Sequence, residues 1–269
     1  MLDRWGVRRV AELGFVPFAF GYPTNIVRLV PQPLGIRLEL IGSDQALGLM
    51  FHRSLNRLNA RAFGNMGMPE WVQLDCGVLP SAFVGWARRA RDLPRDLHDA
   101  LAPDASPEDL VPVSEALAIP TAEPGTWASV SLASVWRGTR LGLATKALAL
   151  AAYGARRTVG VCQYDSPALR VHTALGPLRI IDPRVEYHSK PHKTFIYALD
   201  DVPRLLDGQF PSVDGESVSF STDALHELLP YTEQFGSGLG HLWIVPPGLV
   251  KGRVQCQWVK SQTHLRGEP

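Results

Sequence analysis

Cysteine is scarce. The chain of 269 residues has three, Cys76, Cys162 and Cys256, odd in number and far apart. That pattern fits reduced thiols in a cytoplasm better than a disulfide framework. Charge of one sign is missing too: 27 Lys and Arg against 26 Asp and Glu leave a formal net charge of +1. Composition therefore offers no bulk attraction to nucleic acid or to a membrane surface, and neither supports nor excludes a local basic patch. No apolar run approaches the roughly 18–20 residues that span a bilayer. The opening MLDRWGVRR lacks the apolar core of a secretory leader. No repeat or low-complexity tract occurs. Metal ligands do not cluster: His188 and His192 are four residues apart, but Pro191 opposes a helix and no third ligand is near. No metal is expected.

What is present is ordinary globular composition, 45% hydrophobic and 20% charged, in a chain long enough for a full core. Composition divides it into an N-terminal arm at 1–34, a main domain at 35–200 and a C-terminal appendage at 201–269. Pro17, Pro23, Pro31 and Pro33 suggest an irregular arm with one strand at 26–30. Alternation predicts a strand at 36–41, and Ser43 or Asp44 can cap a helix running to about residue 62. Strands at 70–77 and 82–89 follow. A proline- and acid-rich stretch at 91–126 reads as an insertion with helical patterns at 94–101 and 107–117. Later strands are expected at 158–164, 178–181 and 194–199. The tail reads as a linker to 222, a helix at 223–234 and two strands flanking residues 246–248.

The informative stretch is SVSLASV at 129–135, running into WRGTRLG at 136–142 and LATKALALAAYG at 143–154. A strand ending in Arg-Gly-x-x-x-Gly and opening straight into a helix presents backbone N–H groups with the positive helix end behind them. Such a turn suits a pyrophosphate. The helix, expected over 143–157, is apolar on most faces and should be buried, with Arg156 and Arg157 at its negative end. Next come TVGVCQY at 158–164 and DSPALRVHTALG at 165–176, a strand and a short helix headed by Asp165 or Ser166.

This order resembles the acyl-CoA-binding motif of the GNAT superfamily of N-acyltransferases, in which Arg or Gln, two residues, Gly, any residue, then Gly or Ala join the fourth strand to the third helix. Arg137 and Gly142 match its ends; Arg140 stands where the middle glycine is expected. In the second block Asp165, Ala168, His172 and Gly176 fall at the superfamily's Asn, Ala, Tyr and Gly spacing, with Pro177 in place of Phe. The resemblance covers about residues 70–200.

The resemblance implies an α/β fold of the α+β kind. Its mixed, mostly antiparallel sheet is flanked by helices, here with a C-terminal α+β appendage. It also implies a cytoplasmic N-acyltransferase such as an N-acetyltransferase, with acetyl-CoA or another acyl-CoA as donor. Cofactor contacts would come from Val135, Arg137, Gly138, Thr139, Arg140, Leu141, Gly142 and Leu143, with Asp165 and Ala168. His172 sits where a tyrosine general acid is common, and Ser129, Ser131 and Ser134 are expected either to face the acceptor or to serve as small residues that let strands pack. The strand carries no carboxylate, so Asp75 and Glu123 are the candidate bases. With the insertion and tail walling the cleft, a small-molecule amine is favoured over a protein acceptor. A catalytically degenerate acyl-CoA-binding or assembly module, and a nucleic-acid-modifying transferase, stand as alternatives.

Overall fold

The computed structural model describes residues 2–22, 39–40, 45–64, 80–186, 190 and 193–261. The chain forms two compact units, residues 1–158 with 206–208, and residues 159–205 with 209–269. The expected strands at 26–30 and 70–77, the caps Ser43 and Asp44, and Cys76, His188 and His192 lie outside the described residues.

The first unit begins with a 3-10 turn, Leu2–Trp5, helix α1 (Val7–Glu12) and strand β1 (Val16–Tyr22). Then come β2 (Glu39–Leu40), α2 (Gln45–Phe63), β3 (Ser81–Arg89), α3 (Arg95–Leu101), β4 (Leu110–Pro120), β5 (Thr126–Ser134) and α4 (Leu141–Ala152). Its strands lie in the order β2-β1-β3-β4-β5. Every pair except the parallel β1–β2 is antiparallel. The central strands are buried on both faces because a helix covers each. On one face Phe51, Leu55 and Leu58 of α2 are buried, worth about 1.5–3 kcal/mol apiece. On the other lies α4, whose Ala144, Ala147 and Leu148 are fully buried.

Three expectations for this unit are corrected. The described part of the N-terminal arm is not irregular, since β1 pairs along its whole length with β3, Phe18 opposite Gly85. The stretch 107–117 is not a helix in an insertion: it supplies most of β4, which lies between β3 and β5. A run buried on both faces loses the period-two alternation that marks a strand, and its Ala, Leu and Glu content favours a helical reading. Pro112, which cannot donate to a ladder, sits where the β3–β4 register slips by one residue. Helix α4 ends at Ala152, so Arg156 and Arg157 do not serve its end. Gly154 at φ +60° stops it, with the Ala155 N–H donating back to the Leu150 carbonyl.

The second unit holds most of β6 (Arg157–Gln163), then α5 (Ala168–Ala174), β7 (Leu178–Asp182), β8 (Thr194–Leu199) and, up to Leu205, α6 (Val202–Leu206). β9 (Glu216–Ser221), α7 (Leu229–Gly236), β10 (Gly240–Val250) and β11 (Arg253–Lys260) complete it, in the strand order β6-β8-β7-β10-β11-β9. The tail is thus woven into the unit, because Trp243 and Ile244 of β10 pair with Arg179 and Leu178 of β7. The expected linker to 222 contains α6 and β9, and residues 246–248 lie within β10 rather than between two strands. Gly248, at φ +75°, is where β10 crosses α5; a Cβ there would meet Thr173 and the Leu169 carbonyl. Tyr164 ties early and late segments together, stacked 4.3 Å from Phe195 and edge-on to Phe220 at 5.3 Å.

Candidate functional site

In the first unit the strand–turn–helix at 126–152 forms as its residue pattern predicts. The turn is built from left-handed residues, Gly138 at φ +83° and Arg140 at φ +57°. Arg140 is therefore the residue for which glycine would be the relaxed choice, and holding it left-handed costs about 1–2 kcal/mol. It heads α4 with no side-chain cap. The first N–H groups of that helix have no intrahelical acceptor. The Leu143 N–H is already taken by the Arg140 carbonyl at 3.0 Å, which narrows the expected cradle to residues 138–142. The buried Thr139 hydroxyl has no hydrogen-bond partner. A donor-rich, uncapped helix start, an orphaned hydroxyl and an exposed Arg137 fit a pyrophosphate.

Upstream, β5 carries a bulge. Leu117 faces Ser131 while Ala118 faces Ser129, leaving Val130 as the extra residue. The bulge turns two serines, otherwise on one face, to opposite faces of the sheet. On the α4 face Ser129 accepts a hydrogen bond at 3.1 Å from Lys146, whose side chain is 2% exposed. Nearby on that face, Ser114 Oγ lies 2.6 Å from Thr145 Oγ1. On the α2 face the Ser131 hydroxyl donates to Glu115 Oε1 at 2.7 Å.

Glu115 is the site residue that the sequence reading missed. It is 1% exposed, in the cross-strand row Phe18, Gly85, Glu115, Ala133. Gly85 makes room for it, since a Cβ there would meet Phe18, the Ser114 carbonyl and the Glu115 backbone. Burial pushes its carboxyl up to about 7, against the opposing pull of hydrogen bonds from Ser131 and Asn59. Such a group exchanges a proton near neutral pH, as a general acid–base must.

The other expected residues are scattered. Asp75 lies outside the described residues. Glu123 is at the β4–β5 turn, ion-paired with Arg157 at 3.2 Å. Ser134 is exposed at the end of β5, opposite Ser114. Val135 donates its N–H to the Val113 carbonyl. In the second unit Asp165 pairs with Lys193 at 3.1 Å, and the Ala168 N–H donates to Ser166 Oγ. His172 is 5% exposed, with Nδ1 3.4 Å from the Tyr197 hydroxyl and its ring against that of Tyr197. Cys162 and Cys256 are buried thiols outside any disulfide, and burial raises the Cys256 pKa far above the usual thiol range. Among the described residues no cluster of His, Cys, Asp and Glu could hold a metal, and no helix is long and apolar enough to cross a membrane.

No family model and no curated protein matches the chain. Among solved structures it is similar to an acetyltransferase assigned to the GNAT family from Desulfovibrio desulfuricans, at 17% identity and TM-score 0.34, covering 59% of this chain and 94% of that one. A structure of the NatC complex bound to Gag peptide and CoA gives 12% identity and TM-score 0.35, covering 56% and 91%. Nourseothricin acetyltransferase gives 11% identity and TM-score 0.30, covering 45% and 65%.

Proposed function

We propose that the protein transfers an acyl group from a CoA thioester to an amine. The observation that carries this reading is a single stretch of chain, residues 126–152. It joins a bulged strand, beside a buried proton-exchanging carboxyl, to a helix start with free donors. Arg137, Gly138, Thr139, Arg140, Leu141 and Gly142 hold the pyrophosphate in this reading, and the thioester supplies the activated acyl carbon. Ser131 lies six residues before Arg137, about 20 Å along the strand, which suits an extended pantetheine arm.

The reaction needs an amine proton removed, a developing oxyanion stabilised and a thiolate protonated. Backbone N–H groups at the Val130 bulge are the donors for the oxyanion. Glu115 takes the amine proton, with half-buried Ser131 as the hydroxyl linking the buried carboxylate to the reacting amine. As the C–N bond forms and the C–S bond breaks, the same carboxyl returns its proton to the sulfur. A pKa of about 7 suits both transfers.

The test is acyl transfer from acetyl-CoA and longer acyl-CoAs to an amine panel, followed by thiol release, with wild type and Glu115→Gln. Turnover in wild type and its loss in the variant support the proposal. Binding without turnover in wild type would leave only a cofactor-binding module.

A further inference from the structure

Arg88 of β3 packs against a pair of aromatic rings. Its guanidinium carbon is 4.9 Å from the centre of the Phe15 ring and 5.1 Å from that of Trp136. The two rings meet edge to face at 5.1 Å, and Arg88 Nη1 donates to the Leu13 carbonyl at 3.0 Å. The buried Nε has no acceptor, so the group is held by its contacts with the ring pair and by that one hydrogen bond. Three stretches distant in sequence meet here: residues 13–15, β3, and the residue that immediately precedes Arg137. The N-terminal 3-10 turn and α1 also pack on α4, the helix that the turn feeds. Both ends of the 135–140 turn thus lean on the first fifteen residues.

We propose that Arg88 is a positioning residue for the cofactor turn, and that through it the N-terminal segment controls how tightly acyl-CoA binds. The ligand part rests on the function proposed above; the ordering of the turn does not. The turn needs two departures into left-handed backbone, at Gly138 and Arg140. The second is a strained state that persists only where its surroundings over-determine it. Trp136 is the side chain that anchors the turn's entry, and Arg88 fixes Trp136. When that anchor is loosened, the binding-competent fraction falls, and apparent affinity falls by the same factor.

The experiment compares full-length wild type, Arg88→Ala, Arg88→Lys and Phe15→Leu by CoA calorimetry and by amide hydrogen exchange without ligand. Arg88→Ala should raise Kd about tenfold, a competent fraction near one tenth. It should speed exchange at Val135, Leu143 and Ala144, whose amides donate to the Val113 and Arg140 carbonyls at the two ends of the turn, while the amides pairing β3 with β4 keep wild-type protection. Arg88→Lys, which keeps a cation against the rings, should recover part of both effects. Phe15→Leu, which keeps the apolar volume and loses the ring face, should give a weaker form of them and serves if Arg88→Ala does not fold. Unchanged exchange at these three amides, or acceleration spread evenly over the unit, would overturn the inference. If wild type binds no CoA, the functional reading fails, and exchange alone decides whether Arg88 positions the turn.

Discussion

The Ser131 hydroxyl donates to the Glu115 carboxylate at 2.7 Å on the α2 face, while Ser129, two residues earlier, accepts from Lys146 on the α4 face. The Val130 bulge produces this inversion, and with it a carboxyl beside the strand that the CoA arm is proposed to follow. Glu115→Gln, isosteric and unable to take the proton, should lower kcat by about 10²-fold or more with donor affinity little changed. The rate of wild type should rise with pH through about 7 and then level. Steady-state kinetics across pH checks both, and a variant with wild-type kcat and an unchanged profile removes Glu115 from the mechanism.

Stability should carry the mark of the same group. Glu115 has its folded pKa raised from 4.5 to about 7, so between those values the folded state binds more protons than the unfolded one. Its contribution is fully present below pH 4.5 and is lost as pH rises through 7. The total is on the order of 3 kcal/mol. Urea unfolding of wild type from pH 5 to 8 should show this decline relative to Glu115→Gln. Parallel pH dependences would contradict it.

Arg140 at φ +57° predicts that Arg140→Gly relaxes the turn. The net gain is about 1 kcal/mol, because glycine also loses more entropy on folding. Thermal melts should shift up by about 2–4 °C. Arg140→Val, β-branched at the same angle, should shift them down; the opposite order would show that the turn is not left-handed at this residue.

His172 is buried, and removing the ring leaves a cavity beside Tyr197. His172→Ala should cost about 2–4 kcal/mol of stability, as large-to-small core changes do. Denaturation measures this directly. Unchanged stability together with a turnover slowed about 10²-fold would support the general-acid role that its position in the motif implies.

Much of the site could be read from residues alone where local signals agree. The 129–154 stretch combines a strand, a left-handed turn and an apolar helix, and all three appear. Helix α3, expected at 94–101, forms as Arg95–Leu101 for the same reason. Strand β4 was hidden because its neighbours on both faces, supplied from distant parts of the chain, erase its alternation. Glu115 was hidden with it. The signal that could have found it is a lone glutamate in the apolar run VPVSEALAI at 111–119, which a central strand tolerates only beside specific partners. The tail's place in the second unit depends on β10 pairing with β7, more than sixty residues earlier, which no local pattern encodes.

Calorimetric titration of the full-length protein with acetyl-CoA and longer acyl-CoAs is the most direct measurement of the central claim. The turn at 137–142 should give saturable binding of at least one of them. Replacing Gly142 by a bulky residue should abolish it, since a side chain at the helix start would fill the cradle. No heat of binding with any acyl-CoA, or equal binding by wild type and the Gly142 variant, would contradict the account.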